Sequence, residues 1–179
     1  MGEALVIVDV QNDFIPGGAL PVPRGDETVD RVNGLIDSGR FDLIVATRDW
    51  HPPDHGSFQA QGGPWPPHCV QHTEGAEIHP GIPREKIDAV IDKGVDSGLD
   101  GYSAFEATEL EQVLRDHGID RVTVVGLATD YCVKHTALDA LSAGFGVTLD
   151  RAGVRGIDAQ EGDAERAIEE IAGAGATID

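Results

Sequence analysis

Arg121-Val122-Thr123-Val124-Val125-Gly126-Leu127 is apolar at nearly every position rather than at alternate ones. A strand of that kind is buried on both faces, which fits a parallel sheet covered by helices better than an antiparallel sheet with one wet face. Ala128-Thr129-Asp130-Tyr131-Cys132 follows at once, and a helical pattern runs from about Tyr131 to Ala143 and stops at Gly144. The same strand-to-helix unit recurs along the chain. Ala4–Val10 leads through a Gly/Pro-rich loop, Ile15–Pro23, to a helix near Glu27–Ser38 that places Val29, Val32, Leu35 and Ile36 on one face and ends at Gly39.

Further strands are expected at Asp42–Thr47, Asp88–Asp92, Phe145–Leu149 and Ala176–Ile178, with helices near Glu106–Asp116 and Ala159–Ala172. The stretch from Trp50 to Pro83 has no sustained periodicity and is too long to be a mere connection, so it is read as functional. The expected fold class is α/β: a three-layer α/β/α sandwich with a mainly parallel sheet of about six strands, built as one domain over residues 1–179. The first strand-to-helix turn, Asp9-Val10-Gln11-Asn12-Asp13, lacks a glycine-rich phosphate fingerprint, which argues against a dinucleotide module.

Thirty-two acidic residues face 13 basic ones, a formal net charge of −19, and lysine occurs only as Lys86, Lys93 and Lys134. Such a surface repels nucleic-acid phosphates and anionic lipid, so neither is an expected partner. Met1-Gly2-Glu3 runs directly into the first strand with no basic region and apolar signal core, and no apolar run approaches membrane-spanning length; a cytoplasmic protein is expected. With only Cys69 and Cys132 in a chain of 179 residues, free thiols are expected rather than a disulfide framework.

Four of the predicted strands deliver reactive side chains at their C-terminal ends. These are Asp9, then Asp49 with His51, then Lys93, and finally Cys132. In a parallel sheet those ends share one edge, so the residues can form a single site suited to hydrolysis. Asp49 and His51 are two apart in an extended segment and point the same way, while the prolines of Trp65-Pro66-Pro67-His68 stiffen the approach of the third candidate ligand. One carboxylate and two imidazoles suit a divalent metal and leave coordination positions open. His55 and His72 are candidates for a further contact, although single histidines in polar loops are ordinarily just solvated. Cys132 opens a helix past a buried strand, where unpaired N–H groups lower a thiol pKa and can hold an oxyanion; Asp130 opposes that effect and creates a need for a separate base. Asp9 is the candidate base, and Lys93 could pair with it in a catalytic or a purely structural ion pair. Asp13 is read as a loop or capping residue.

Taken together, Val8-Asp9-Val10-Gln11-Asn12-Asp13-Phe14, Ala46-Thr47-Arg48-Asp49-Trp50-His51-Pro52, Trp65-Pro66-Pro67-His68-Cys69-Val70, Lys93-Gly94, Tyr102-Ser103-Ala104-Phe105 and Gly126-Leu127-Ala128-Thr129-Asp130-Tyr131-Cys132-Val133 resemble the nicotinamidases of the isochorismatase-like cysteine hydrolases. The resemblance implies a triad of Asp9, Lys93 and Cys132 beside one divalent metal held by Asp49, His51 and His68, with His55 as a further contact in some relatives. The metal would be zinc first, or iron or manganese. It also implies that Phe14, Trp65 and Tyr102 line an aromatic pocket, that the Ala128 and Cys132 amides form an oxyanion hole, and that the Leu127-Ala128 peptide is cis. Nicotinamide is the substrate implied, hydrolysed through a thioester to nicotinate and ammonia in NAD salvage. The other partner to be expected is a second copy of the chain in a homo-oligomer. Two rivals remain: an amide hydrolase of the same superfamily acting on a carbamoyl or maleamate-type substrate, and a non-catalytic metal-binding module.

The acidic, lysine-poor balance resembles that of proteins from salt-loaded cytoplasms, where counterions screen self-repulsion. Thermal unfolding followed from low to molar KCl is expected to show a rising Tm. A steady fall over that range would remove salt adaptation as the reason for the composition.

Overall fold

A computed structural model describes residues 1–179. Its strands are β1 (Gly2–Val8), β2 (Leu43–Asp49), β3 (Ala89–Lys93), β4 (Ile119–Leu127), β5 (Gly146–Arg155) and β6 (Thr177–Ile178). They form one sheet in the order β3-β2-β1-β4-β5-β6, and every neighbouring pair is parallel. The helices are α1 (Thr28–Asp37), α2 (Leu110–Asp116), α3 (Lys134–Ser142) and α4 (Asp163–Gly173), with a π-helical turn at Thr129–Val133 before α3.

The period of two along the strands divides the core. Leu5 and Ile7 of β1 pack with Val125 against Val29, Val32, Leu35 and Ile36 of α1 on one face. Ala4, Val6 and Val8 join Val122 and Val124 against Leu110 and Leu114 of α2, Ala137 and Ala140 of α3, and Ile168 and Ile171 of α4 on the other. Three layers result, as the doubly apolar strands require. No helix is long and apolar enough to cross a membrane.

The chain moves outward from β1 through β2 to β3, then returns to lay β4 on the other side of β1. That reversal creates a crevice at the carboxyl ends of the two central strands, where ligands bind in open parallel sheets. Two backbone features shape it. Asp9 leaves β1 with φ of 50°, a left-handed conformation rare for a non-glycine residue, so the strand ends at Val8 rather than Val10. Gly126 has φ of 114°, and a Cβ there would strike the Val8 backbone. Only glycine lets β4 approach β1 this closely just before the π turn.

Element boundaries differ from the expectations for local reasons. α2 starts at Leu110 rather than near Glu106 because Ala107 is left-handed with φ of 52° and Thr108 Oγ1 accepts from Leu110 N–H at 3.2 Å. α4 starts at Asp163 rather than near Ala159 because Asp158 and Gly162 turn left-handed at φ of 52° and 87°. β5 runs on to Arg155 because, past an irregularity in register, Val154 and Arg155 still pair with Gly126 and Leu127 of β4, a contact the apolar pattern does not register. The Leu127-Ala128 peptide is cis.

Candidate active site and metal centre

The strand ends meet around one ammonium. Lys93, 1% exposed at the end of β3, places Nζ 2.7 Å from Asp9 Oδ2, 2.5 Å from Asp49 Oδ1, 2.6 Å from Gly101 O and 3.2 Å from Cys132 Sγ. Oxygens of Asp9 and Asp49 lie with Cys132 Sγ within 4.8 Å of one another, and the lysine already supplies the cation such a cluster would otherwise attract. Asp9, Lys93 and Cys132 are therefore together, as expected. Asp9 is further held by Thr47, whose Oγ1 donates to Oδ1 at 2.7 Å.

Burial, together with the nearby Asp49 charge, raises the Asp9 carboxyl to about 6 despite the attraction of Lys93. Burial also pushes the Cys132 thiol well above its ordinary range, and the opposing pull of Lys93 does not cancel it. For Lys93, burial disfavours the charged form, but Asp49 and Asp9 outweigh it and keep the ammonium. The resting state is a neutral thiol beside a carboxylate of nearly physiological pKa, a pairing suited to proton transfer.

Asp49 has two roles. Its Oδ1 faces Lys93, and its Oδ2 lies 3.3 Å from His51 Nε2 and 3.8 Å from His68 Nε2. The ligand atoms of Asp49, His51 and His68 all lie within 4.8 Å of one another, and all three residues are buried. His51 Nδ1 meets Gly94 O at 2.8 Å and His68 Nδ1 meets Pro66 O at 2.9 Å. A carbonyl can only accept, so each Nδ1 carries a proton, and each Nε2 is the ring atom turned towards Asp49, which binds a metal once deprotonated. The donor set thus fits a divalent metal.

The long loop reaches this cluster through short strand-like contacts. His51 N–H donates to Cys69 O at 2.9 Å and Gln71 N–H to His51 O at 2.8 Å, which lays the His68–Gln71 segment beside His51. Asp13 fastens the same segment, accepting from Cys69 N–H at 2.7 Å, and from Ala19 N–H at 3.2 Å, in keeping with its reading as a loop residue. His55 is fully buried and stacks on His51 with ring centroids 3.9 Å apart, but its Nδ1 engages Ser57 Oγ at 2.7 Å and it lies outside the three-residue cluster. His72 is not joined to the site; it packs edge-on against Trp50 with centroids 5.3 Å apart.

Cys132 opens onto a mainly apolar slot formed with Phe14, Trp65, Tyr102, Ala128 and the edge of the metal cluster at Asp49 and His68. Trp65 Nε1–H donates to Tyr102 OH at 3.0 Å, so the two rings are held as a pair. Leu20, Tyr131 and Ile157 complete the wall and were not singled out from sequence. Tyr131 adjoins Cys132, and that adjacency was a usable signal. Leu20 and Ile157 arrive on returning loops and carried none. Gln11 was also missed: it is fully buried, its Nε2 donates to Asp49 O at 2.9 Å and Ala76 O at 2.8 Å, and its Oε1 accepts from Asp49 N–H at 2.8 Å. It thereby holds the backbone of Asp49 at two points.

The isochorismatase domain model matches residues 3–178 of the chain. The nicotinamidase of Escherichia coli (strain K12) is 46% identical, with 98% of this chain and 93% of that protein covered. Among solved structures, the pyrazinamidase of Pyrococcus horikoshii in complex with zinc is 49% identical, with a TM-score of 0.91 and coverage of 100% of this chain and 99% of that one. A protein from L. infantum in complex with nicotinate is 40% identical, with a TM-score of 0.94 over 99% of this chain and 92% of that one.

Gly94 is left-handed with φ of 59°, and a Cβ on it would run into the His51 ring. Gly94→Ala is therefore expected to turn the imidazole and weaken divalent-metal affinity by about 10- to 100-fold, measured as metal retained after dialysis with the fold monitored by circular dichroism. Wild-type metal content in a folded variant would mean that His51 orientation does not govern binding.

Proposed function

This chain belongs to the isochorismatase family, and from that membership and the chemistry of the site we propose that it hydrolyses nicotinamide to nicotinate and ammonia in the cytoplasm, as a salvage step towards NAD. The catalytic unit is a single domain spanning residues 1–179. The observation that carries the reading is a thiol at the base of an aromatic slot, 3.2 Å from a buried ammonium that also pairs with two carboxylates.

Asp9 takes the Cys132 proton as Sγ attacks the carboxamide carbon. The Ala128 and Cys132 amides receive the negative charge that develops on the carboxamide oxygen. Asp9 then returns its proton to the departing nitrogen, ammonia leaves, and a thioester remains on Cys132. In the second half Asp9 removes a proton from water as its oxygen attacks the thioester; collapse frees nicotinate, and the proton returns to sulfur. Lys93 keeps Asp9 aimed and favours its charged form. Phe14, Trp65 and Tyr102 hold the ring flat above the sulfur and exclude bulk water. Asp49, His51 and His68 would hold zinc, which when bound supplies Lewis acidity for the ring nitrogen and for water. Zinc suits a set of one carboxylate and two imidazoles, and the P. horikoshii relative is a zinc complex.

Ammonia release should be measured from nicotinamide against a panel of small amides, with and without chelator. Nicotinamide is expected to be the preferred substrate and chelator to suppress turnover. Cys132→Ala should lose ammonia release while keeping its fold, and turnover at the wild-type rate in that variant would refute the covalent route.

Asp9 must be ionised to accept the thiol proton, and its carboxyl sits at about 6. The value of kcat/KM is therefore expected to rise with pH to a plateau above that point and to fall about tenfold per pH unit well below it. A flat profile between pH 5 and 8 would remove Asp9 as the base.

A further inference from the structure

Asp130 lies two residues before the nucleophile, where its charge could oppose formation of a thiolate, yet its carboxylate is engaged elsewhere. It is 8% exposed, and both oxygens are occupied: Ile157 N–H donates to Oδ1 at 2.9 Å and Asp158 N–H to Oδ2 at 2.8 Å. Consecutive backbone amides converging on one anion form a stiff two-point clamp. Asp158 adopts a left-handed φ of 52°, and its own carboxylate accepts from Ala164 N–H at 2.8 Å in the first turn of α4. Gly156 passes so close to Ala164 that a Cβ on it would collide. The segment held in this way carries Ile157, which forms part of the wall of the slot that ends at Cys132.

We propose that Asp130 is a specificity-positioning residue: by holding the Ile157 and Asp158 amides it fixes Ile157 as one wall of the ring slot and restricts the site to amides of single flat rings. The inference rests on the aromatic-amide reading given above. Without the carboxylate two amides lose their acceptors, the segment has no reason to stay in a strained conformation, and the wall can retreat. A wider ring then gains entry, while a single ring loses contact.

The test compares nicotinamide with quinoline-3-carboxamide, which keeps the ring nitrogen and the carboxamide but is one fused ring wider. Asp130→Ala and Ile157→Ala are each expected to lower kcat/KM for nicotinamide about tenfold, mainly through KM, and to raise the quinoline-to-nicotinamide ratio about tenfold. The double variant should go little further, because both changes remove the same wall. Asp130→Asn, which keeps one acceptor oxygen, should fall between Asp130→Ala and wild type. The pH dependence of Cys132 alkylation by iodoacetamide should stay where wild type has it. An unchanged ratio in Ile157→Ala, additive effects in the double variant, or a displaced alkylation profile would each overturn the proposal, the last by showing that Asp130 acts on the thiol. If Asp130→Ala fails to fold, Asp130→Asn and Ile157→Ala decide the matter by the same ratio. If wild type releases no ammonia from nicotinamide, the nicotinamide reading falls separately. The clamp is then read by hydrogen exchange: the Ile157 and Asp158 amides should exchange at least about tenfold faster in Asp130→Asn, and unchanged exchange would overturn it.

Discussion

A buried ammonium has three protons to give, and Lys93 Nζ has four neighbours that could take them: Asp9, Asp49, Gly101 O and Cys132 Sγ. Removing such a charge from water is tolerable only where anions and carbonyls replace the lost hydration, and deleting one partner of a buried pair typically costs about 3–5 kcal/mol. The lysine therefore dictates where both carboxylates must be, and through them where the sulfur and the two imidazoles must be. The triad and the candidate metal centre form one electrostatic unit with Asp49 as the shared element. Two carboxylates against one ammonium leave excess negative charge in a dry site. The protein accommodates it unequally: Asp49, facing Lys93 and two imidazoles, is held below its ordinary range against burial, while burial and the neighbouring anion raise Asp9 to about 6. That asymmetry suits Asp9 to the proton transfer proposed for it and keeps Asp49 ionised.

Backbone geometry makes this convergence reachable. Asp9 departs from β1 in a left-handed turn, Gly126 lets β4 close on β1, and the Gly94-Gly101 pair admits the flat His51 ring. Gln11 adds the missing registration, since its side-chain amide meets both backbone groups of Asp49 much as a neighbouring strand would. Each of these positions gives up local comfort or a simple side chain, and the return is a cluster of reactive groups held to within a few ångströms.

The sheet and the reactive set could be read from the chain because both depend on strong local signals. Doubly apolar runs such as Val122–Val125 specify buried parallel strands, and a charged residue at the end of an apolar run needs a partner, as Asp9 and Lys93 do. What escaped notice depends on tertiary return rather than on pattern. Ile157 and Leu20 are ordinary aliphatic residues until distant loops set them in the slot. Gln11 lies in a turn without periodicity, and only Asp49 and Ala76, remote in sequence, give it a purpose. Asp130 was legible as a charge close to Cys132, but its direction was set by amides 27 and 28 residues away. Helix starts moved for a related reason, because single left-handed residues such as Ala107 override propensity.

The surface and the site obey different electrostatics. Among acidic residues only Asp9, Asp49, Asp130 and Asp150 are buried, and each faces a cation or a pair of amides, so salt has little access to these contacts. The remaining carboxylates carry most of the chain's negative charge in a solvent-facing layer whose repulsion salt does screen. Salt should therefore act on the compactness of the fold rather than on proton transfer between Cys132 and Asp9. The same field is indifferent to an uncharged amide entering the slot and unfavourable to a carboxylate leaving it to linger nearby. An acidic shell around a neutral-to-anionic conversion thus favours departure of the product, while the chemistry inside rests on contacts too short and too dry for the shell to disturb.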